Sequence, residues 1–250
     1  MAPLRAGRSV KRRLDIALVE QGLAATRERA RALVLAGQVA VDGQIVSKAG
    51  ALVSSDAEVT LKAPDHPYVG RGGVKLAHAL DTFRIDPRGR RALDIGASTG
   101  GFTDVLLQRG AESVIALDVG HGQLDWRLRN DSRVVVIEGA NARHLSRADL
   151  PYRVTLVTID VAFISLRHIL PVLPPLLEPD SDVVTLVKPQ FEAGRDEVGK
   201  RGLVTDPAVH DAVLTRVAAA AAAAGLSRAG MTPSPITGAT GNQEFFLHLR

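Results

Sequence analysis

Asp94-Ile95-Gly96-Ala97-Ser98-Thr99-Gly100-Gly101-Phe102 decides the reading of this chain. Ala92 and Leu93 lead into it as the apolar end of a strand, and Phe102 to Leu107 follows as a helix. A strand that breaks into a glycine-rich turn before a helix gathers backbone N–H groups and a helix N-terminus at one place. Glycine suits that place because a Cβ would block close approach of a ligand. A side chain at Gly96 is therefore expected to fill ligand space at little cost to the fold. Roughly twenty residues further on, Val114 to Asp118 reads as a second strand ending in an acid, where nucleotide-binding α/β sheets hold ribose hydroxyls. A glycine loop alone can be only a tight turn. No Gly-x-x-x-x-Gly-Lys-Ser/Thr element is present, so an ATPase-type phosphate loop is not supported.

Composition narrows the class. At 250 residues the chain can hold one large domain or two unequal ones. No apolar run nears the roughly 20 residues that span a bilayer, and Ala218 to Ala224 reads as a good helix former. No apolar core follows Arg5, Arg8, Lys11, Arg12 and Arg13, so no secretory signal is read. Cysteine is absent, which excludes disulfides and thiolate metal sites and fits a cytoplasmic protein. The 7 histidines lack zinc-type spacing, and no metal is expected. Residues 1 to 60 hold nine Lys/Arg against six Asp/Glu, whereas the remainder is nearly balanced. Such an excess suits either a polyanion-facing surface or a solvated helix face.

The spacing predicts a small helical and stranded module at the N-terminus. Leu14 and Leu18 lie one turn apart, and Gly22 is placed to end that helix. Thr26 can cap a second helix with Glu28 in its first turn. Ala30, Leu33 and Val34 face inward while Arg27 and Arg31 share an outward face, and Gly37 ends the helix. Val39 to Val46 reads as two strands around an Asp42-Gly43 turn, and Val59 to Leu61 could close a small sheet. This helix–arginine-rich helix–hairpin pattern, with Gly37-Gln-Val-Ala-Val-Asp-Gly43, resembles the RNA-binding domain named after small-subunit ribosomal protein S-four. The resemblance implies phosphate contacts by Arg12, Arg13, Arg27, Arg29 and Arg31.

The expected organisation is a small α+β RNA-binding domain over 1–62, a linker over 63–70 marked by Pro64 and Pro67, and a larger domain over 71–250. After a helix bearing Leu76, Ala79, Leu80 and Phe83, strand and helix patterns alternate. The strands fall at 92–95, 113–118, 134–138, 154–160 and 182–188; the helices fall at 99–108, 123–129, 164–173 and 211–225. Alternation of this kind predicts a doubly wound α/β, Rossmann-like, mostly parallel sheet. Residues 191–207 read as a mobile loop over its carboxyl edge, and 244–249 as a final strand.

Four polar residues fall where such a sheet would gather them. Asp160 and Lys188 end strands, Lys75 stands in the helix before the sheet, and Glu244 opens the last strand. A strand-end acid or lysine is more often solvated than catalytic; only the set carries weight. The order Lys75, Asp160, Lys188, Glu244 around Asp-x-Gly-x-x-x-Gly-Gly resembles the Lys-Asp-Lys-Glu set of FtsJ-like ribose 2′-O-methyltransferases. With the N-terminal module, Leu186-Val-Lys-Pro-Gln-Phe-Glu192 and Ser234-Pro-Ile-x-Gly-x-x-Gly-Asn-x-Glu-Phe-Phe-Leu247, the chain resembles the TlyA family. Its members are implied to be rRNA (cytidine-2′-O)-methyltransferases, catalogued also as haemolysins, acting on 16S and/or 23S rRNA in ribosomal subunits. The cofactor implied is S-adenosylmethionine (SAM). Residues 94–102 would hold its methionine part, Asp118 its ribose and Asn141 its adenine edge, with Trp126 and the Gly120–Gly122 turn further candidates. Lys188 would serve as base, Lys75 nearby favouring its neutral form, and Asp160 and Glu244 as orienting acids. A non-catalytic RNA-binding or assembly factor, a membrane-lysing protein and a base methyltransferase are the competing readings.

Overall fold

The computed structural model describes residues 11–62 and 66–250; Arg5, Arg8 and the linker residues Ala63, Pro64 and Asp65 lie outside them. The chain divides into two compact units, Met1–Pro67 and Tyr68–Arg250.

In the first unit, β1 (Lys11–Arg13) runs into α1 (Leu14–Glu20), followed by α2 (Arg27–Leu35). Leu14, Ala17 and Leu18 recur at helical spacing and pack with Ala30, Leu33 and Val34 in one buried cluster. Thr26 caps α2, its hydroxyl accepting from the Arg29 N–H at 3.2 Å. β2 (Val39–Val41) and β3 (Gln44–Ile45) form a hairpin, and β5 (Val59–Leu61) pairs on the other side of β2. Asp42 and Gly43 take φ of 49° and 78°, the left-handed pair that a two-residue hairpin turn demands. β4 (Leu52–Ser54) pairs with β1, a strand that its Lys-Arg-Arg sequence advertises only as charge.

The second unit is the expected α/β sheet. Its strands are β6 (Arg91–Ile95), β7 (Ser113–Asp118), β8 (Val134–Glu138), β9 (Val154–Ile159), β10 (Leu177–Val187), β11 (Arg228–Pro233) and β12 (Phe245–Leu249), in the order β11-β12-β10-β9-β6-β7-β8. Neighbours from β10 to β8 are parallel; β12 is antiparallel to both β10 and β11. Alternation along each strand divides the core. Leu93, Ile95, Val157 and Ile159 join one buried cluster, while Ala92 and Leu156 join the other. The second cluster takes in α3 (Gly72–Phe83), α4 (Gly101–Gln108) and, through Leu128, α5 (Trp126–Arg129), the first α7 (Pro207–Ala223). Strand order reverses between β6 and β9, and a crevice at such a switch point is where open α/β sheets bind ligands.

Three segments depart from expectation. Residues 164–173 form no α-helix; the stretch is a ladder of single 3-10 turns at Leu166–His168, Leu170–Val172 and Pro174–Leu176. Pro171, Pro174 and Pro175 lack the N–H groups that i→i−4 bonding needs. Residues 191–207 are pinned rather than loose. Buried Asn242 accepts from Val204 N at 2.9 Å and donates to Gly202 O at 2.8 Å, and Glu197 pairs with Arg216 at 2.9 Å. β11 escaped the sequence reading because Arg-Ala-Gly-Met-Thr-Pro is an edge strand with little apolar alternation.

The amino edge of the sheet is held by one carboxylate. Asp182 accepts from Arg90 Nη1 at 2.6 Å, His248 Nε2 at 2.7 Å and Arg250 Nε at 3.0 Å. Burial pushes its carboxyl up, but the bonds from His248, Arg90 and Arg250 outweigh that and hold it well below the usual range. Its contribution to stability is therefore present above the ordinary carboxylate range and lost on acidification through and below it. Asp182→Ala should destabilise the fold by ~3 kcal/mol in denaturant unfolding at neutral pH, because it strands partly buried cations. The deficit should shrink below about pH 3.

Candidate active site

The chemistry-bearing residues gather at the carboxyl edge of the sheet. Asp160 follows β9, and its N–H donates to Ile95 O at 2.9 Å. Lys188 follows β10, where Pro189 opens the one-turn α6 (Pro189–Glu192). β10 and β12 pair Val187 with Phe245, so the next antiparallel step sets Lys188 opposite Glu244. Lys75 reaches the same edge from the first turn of α3.

Two ion pairs result. Lys188 Nζ lies 2.5 Å from Asp160 Oδ1, and Lys75 Nζ lies 2.5 Å from Glu244 Oε2. All four side chains are largely buried, from 3% exposed for Glu244 to 22% for Asp160. Each lysine thus faces an acid rather than the other lysine. Gly238 permits this, since a Cβ there would lie 2.4 Å from Glu244 Oε1. The spaced glycines before Glu244 were the available signal for that position.

A cavity of about 490 Å³ opens at Asp160 of the first pair, within the size range of small-molecule sites. Ile95, Gly96, Ser98, Asp118, Asn141 and Asp160 line it. Asp118 is fixed by backbone donors, Oδ2 accepting from Ser98 N at 2.8 Å and Oδ1 from Gly120 N at 2.7 Å. Each oxygen keeps a second lone pair for a ligand hydroxyl. Asn141 Oδ1 caps the turn that follows, accepting from Arg143 N at 3.1 Å. The far wall comes from Val161, Ala162, Phe163 and Ile164, of which only Ile164 falls in the helix expected over 164–173. Trp126 stands 71% exposed and is absent from the lining.

The glycine loop divides its labour. Gly96 and Ser98 line the large cavity; Ala97, Thr99, Gly101 and Phe102 line a smaller one of about 160 Å³, which shares Gly96, Ser98 and Asp160 with the first. Gly100 lines neither; its Cβ would strike Leu128 Cδ1 at 2.2 Å. Phe102 is 3% exposed and stacks near Phe246, its ring centroid 6.2 Å away. The expectation for Gly96 needs correction. At φ 84° a Cβ there would lie 2.2 Å from the carbonyl oxygen of Asp160, so Gly96→Val collides with the backbone of the site itself and is no clean probe of ligand space.

Asp94 has no exposure and touches neither cavity lining. It accepts from Thr103 Oγ1 at 2.7 Å and Thr158 Oγ1 at 2.9 Å, two partners that the sequence reading missed. The assignment of Asp94 to direct ligand contact therefore gives way to a role in tying β6 to β9 and α4.

The arginines expected to meet phosphate are already engaged in the first unit. Arg13, Arg27 and Arg31 all donate to buried Asp15 in α1, whose carboxyl they hold well below its usual range, Arg13 most strongly. Arg12 pairs with Glu20, and Arg29 donates to His66 O at 3.3 Å.

Desolvation pushes the Asp94 carboxyl up to about 6, against the bonds from Thr103 and Thr158, and the charge of Asp160 adds to the rise. A raised carboxyl stabilises the fold fully below its unfolded value and loses that contribution as pH climbs through the folded value. Between about pH 4 and 6 the wild type should lose about 3 kcal/mol from this group. Asp94→Asn should flatten that part of the pH–stability profile. Denaturant titrations across the range would expose an unchanged slope, which would refute the assignment.

Comparisons with known proteins agree with this architecture. The FtsJ-like methyltransferase family matches residues 68–250, and the S4 domain matches 12–59. YqxC of Bacillus subtilis, named for rRNA methyltransferase activity, is 51% identical over 96% of this chain and 86% of its own. The Mycobacterium tuberculosis 16S/23S rRNA (cytidine-2′-O)-methyltransferase TlyA is 47% identical over 95% of this chain and 89% of its own. A solved chain from Streptococcus thermophilus that carries the hemolysin name is 45% identical, with a TM-score of 0.76 over 96% of this chain and 88% of that one. A SAM-dependent methyltransferase from Mesorhizobium loti, 15% identical with a TM-score of 0.54 over 72% of this chain and 100% of that one, shares the fold alone. With an S4 domain ahead of an FtsJ-like domain and relatives of this identity along nearly its whole length, the chain belongs to the TlyA family of FtsJ-like methyltransferases.

Proposed function

We propose that this protein is a SAM-dependent rRNA (cytidine-2′-O)-methyltransferase, acting in the cytoplasm on ribosomal RNA of one or both subunits. The observation that carries the reading is the buried Asp160–Lys188 contact, whose acid lines a cavity together with Asp118, itself held by backbone donors. The cavity fits the cofactor: its volume suits a nucleoside-sized ligand, and Asp118 retains acceptor capacity for ribose hydroxyls. The relatives named for rRNA methylation supply the substrate class.

When bound, SAM supplies a methyl group on a sulfonium, already a good electrophile. The protein's share is then to hold a ribose 2′-hydroxyl in line and to take its proton. Lys188 is assigned as the acceptor of that proton at Nζ. That role needs the neutral amine, so the ammonium releases a proton to solvent as its contact with Asp160 loosens, and Asp160 then accepts from a remaining amine N–H and keeps the Nζ lone pair aimed at the hydroxyl. Lys75 and Glu244 orient the ribose from the neighbouring pair. Gly96 and Ser98 of the glycine loop would hold the methionine part of the cofactor, Asp118 its ribose hydroxyls and Asn141 its base edge. In the N-terminal unit Arg12, Arg13, Arg27, Arg29 and Arg31 are assigned to the RNA backbone.

Lys188→Ala should bind SAM and RNA nearly as the wild type does yet lose turnover by about 10²–10⁴-fold, the usual worth of a general base. Adding Asp160→Ala should cost little more, since residues acting as a unit are not additive. The product should resist alkaline cleavage at the modified nucleotide; a methyl found on the base with the phosphodiester still alkali-labile would sink the reading. For the RNA arm, Arg27→Ala with Arg31→Ala should lower the slope of log affinity against log salt by ~1 per lost phosphate contact.

A further inference from the structure

Three arginines of the first unit converge on one carboxylate that nothing in the reaction uses. Asp15 has no side-chain exposure. Arg13 grips it with two bonds, Nε to Oδ1 and Nη2 to Oδ2, both at 3.0 Å. Arg27 Nη2 and Arg31 Nε each donate to Oδ2 at 3.3 Å. Arg13 comes from β1, while Arg27 and Arg31 stand one turn apart on α2. The Arg13 guanidinium also lies against the chain at Gly50, where a Cβ would sit 3.2 Å from both Nη atoms.

Neutralising one buried acid requires one guanidinium, and this acid has three. Their side chains remain 44%, 48% and 50% exposed, so the cluster presents a net positive charge to solvent. A guanidinium has five N–H donors. Arg13 commits two of them to Asp15, and Arg27 and Arg31 one each. The remaining donors form a fork geometry that matches phosphate oxygens.

We propose that Asp15 is a positioning residue for RNA binding, a buried anchor that orders Arg13, Arg27 and Arg31 into a clamp for backbone phosphates before RNA arrives. The proposal rests on the RNA-binding reading of the first unit. A free arginine loses its rotamer freedom when it meets phosphate; arginines tethered to Asp15 have lost much of it on folding.

The sign of one substitution separates this role from simple charge balance. Asp15→Asn removes a negative charge within 3.3 Å of the three cations. Coulomb's law alone makes that variant bind RNA more tightly, whereas loss of ordering makes it bind more weakly. The test measures affinity of the full chain for purified 16S and 23S rRNA between about 50 and 200 mM salt. Asp15→Asn should bind on the order of ten-fold more weakly with the salt slope retained, because the same phosphates are still met. Equal or tighter binding overturns the proposal. If instead Arg13→Ala, Arg27→Ala and Arg31→Ala all leave affinity and slope unchanged, the RNA-binding reading of these arginines fails first. Should Asp15→Asn unfold the first unit, nitrogen relaxation of the arginine Nε–H groups in the wild type decides. Restricted motion at all three without RNA supports the clamp, and free motion refutes it.

Discussion

The fold turns on a carboxylate sealed inside a sheet. Asp94 lies near the carboxyl end of β6 with its oxygens taken by Thr158 from β9 and Thr103 from α4. Burying a charge in such a place is costly unless it is paired, and here the partners are neutral hydroxyls, so burial wins and the carboxyl rises to about 6. In return, one group fixes three elements at the switch point. With β9 held against β6, the Asp160 carbonyl comes so close to Gly96 that no Cβ fits between them. The cavity, the strand-end acid and the glycine loop inherit their spacing from that contact.

Electrostatics then differ at the two edges of the sheet. At the amino edge a single acid, Asp182, gathers Arg90, His248 and Arg250, and the result is a closed structural knot. At the carboxyl edge two lysines meet two acids one to one. The Asp160–Lys188 pair borders the cavity, so a hydroxyl entering there can compete for the carboxylate. Matched pairs at a cavity mouth can open without stranding a surplus charge, whereas the Asp182 cluster cannot lose its acid without leaving cations facing one another. The same physics serves rigidity at one edge and exchange at the other.

Most of this was legible where one local rule governs. The Asp42-Gly43 turn, the Thr26 cap and the strand–glycine loop–helix unit at 94–108 follow from residue chemistry alone, and the parallel sheet follows from alternation. Legibility failed where long-range packing decides. Nothing around Thr103 or Thr158 signals that they bind Asp94, because the bonds join residues 9 and 64 positions apart. Residues 164–173 read as a helix because apolar spacing outweighed Pro171 and the prolines that follow. Gly100 looked like a ligand residue because the motif treats its members alike, while packing against Leu128 sets it apart from the members that line a cavity. Asp15 enters the sequence only as one of the acids counted in a basic segment; the folded chain brings three arginines to it.

The hemolysin name borne by relatives can be weighed on the same terms. A helix that disrupts bilayers needs an apolar face with bulky anchors free to enter lipid. Among the described residues no helix is long and apolar enough to cross a membrane. The longest, α7, spans 17 residues, and its inward residues Val213, Leu214, Val217 and Ala221 are buried in the core cluster they share with Leu93 and Ile159. The rest of its length is largely alanine, which favours helix but offers lipid little area. Lysis through α7 would require pulling that stripe out of the sheet, at the cost of the core that positions Asp160 and Lys188. The helix therefore serves the carboxyl edge by staying where it is, and the methyltransferase and lytic readings make opposing demands on the same four residues.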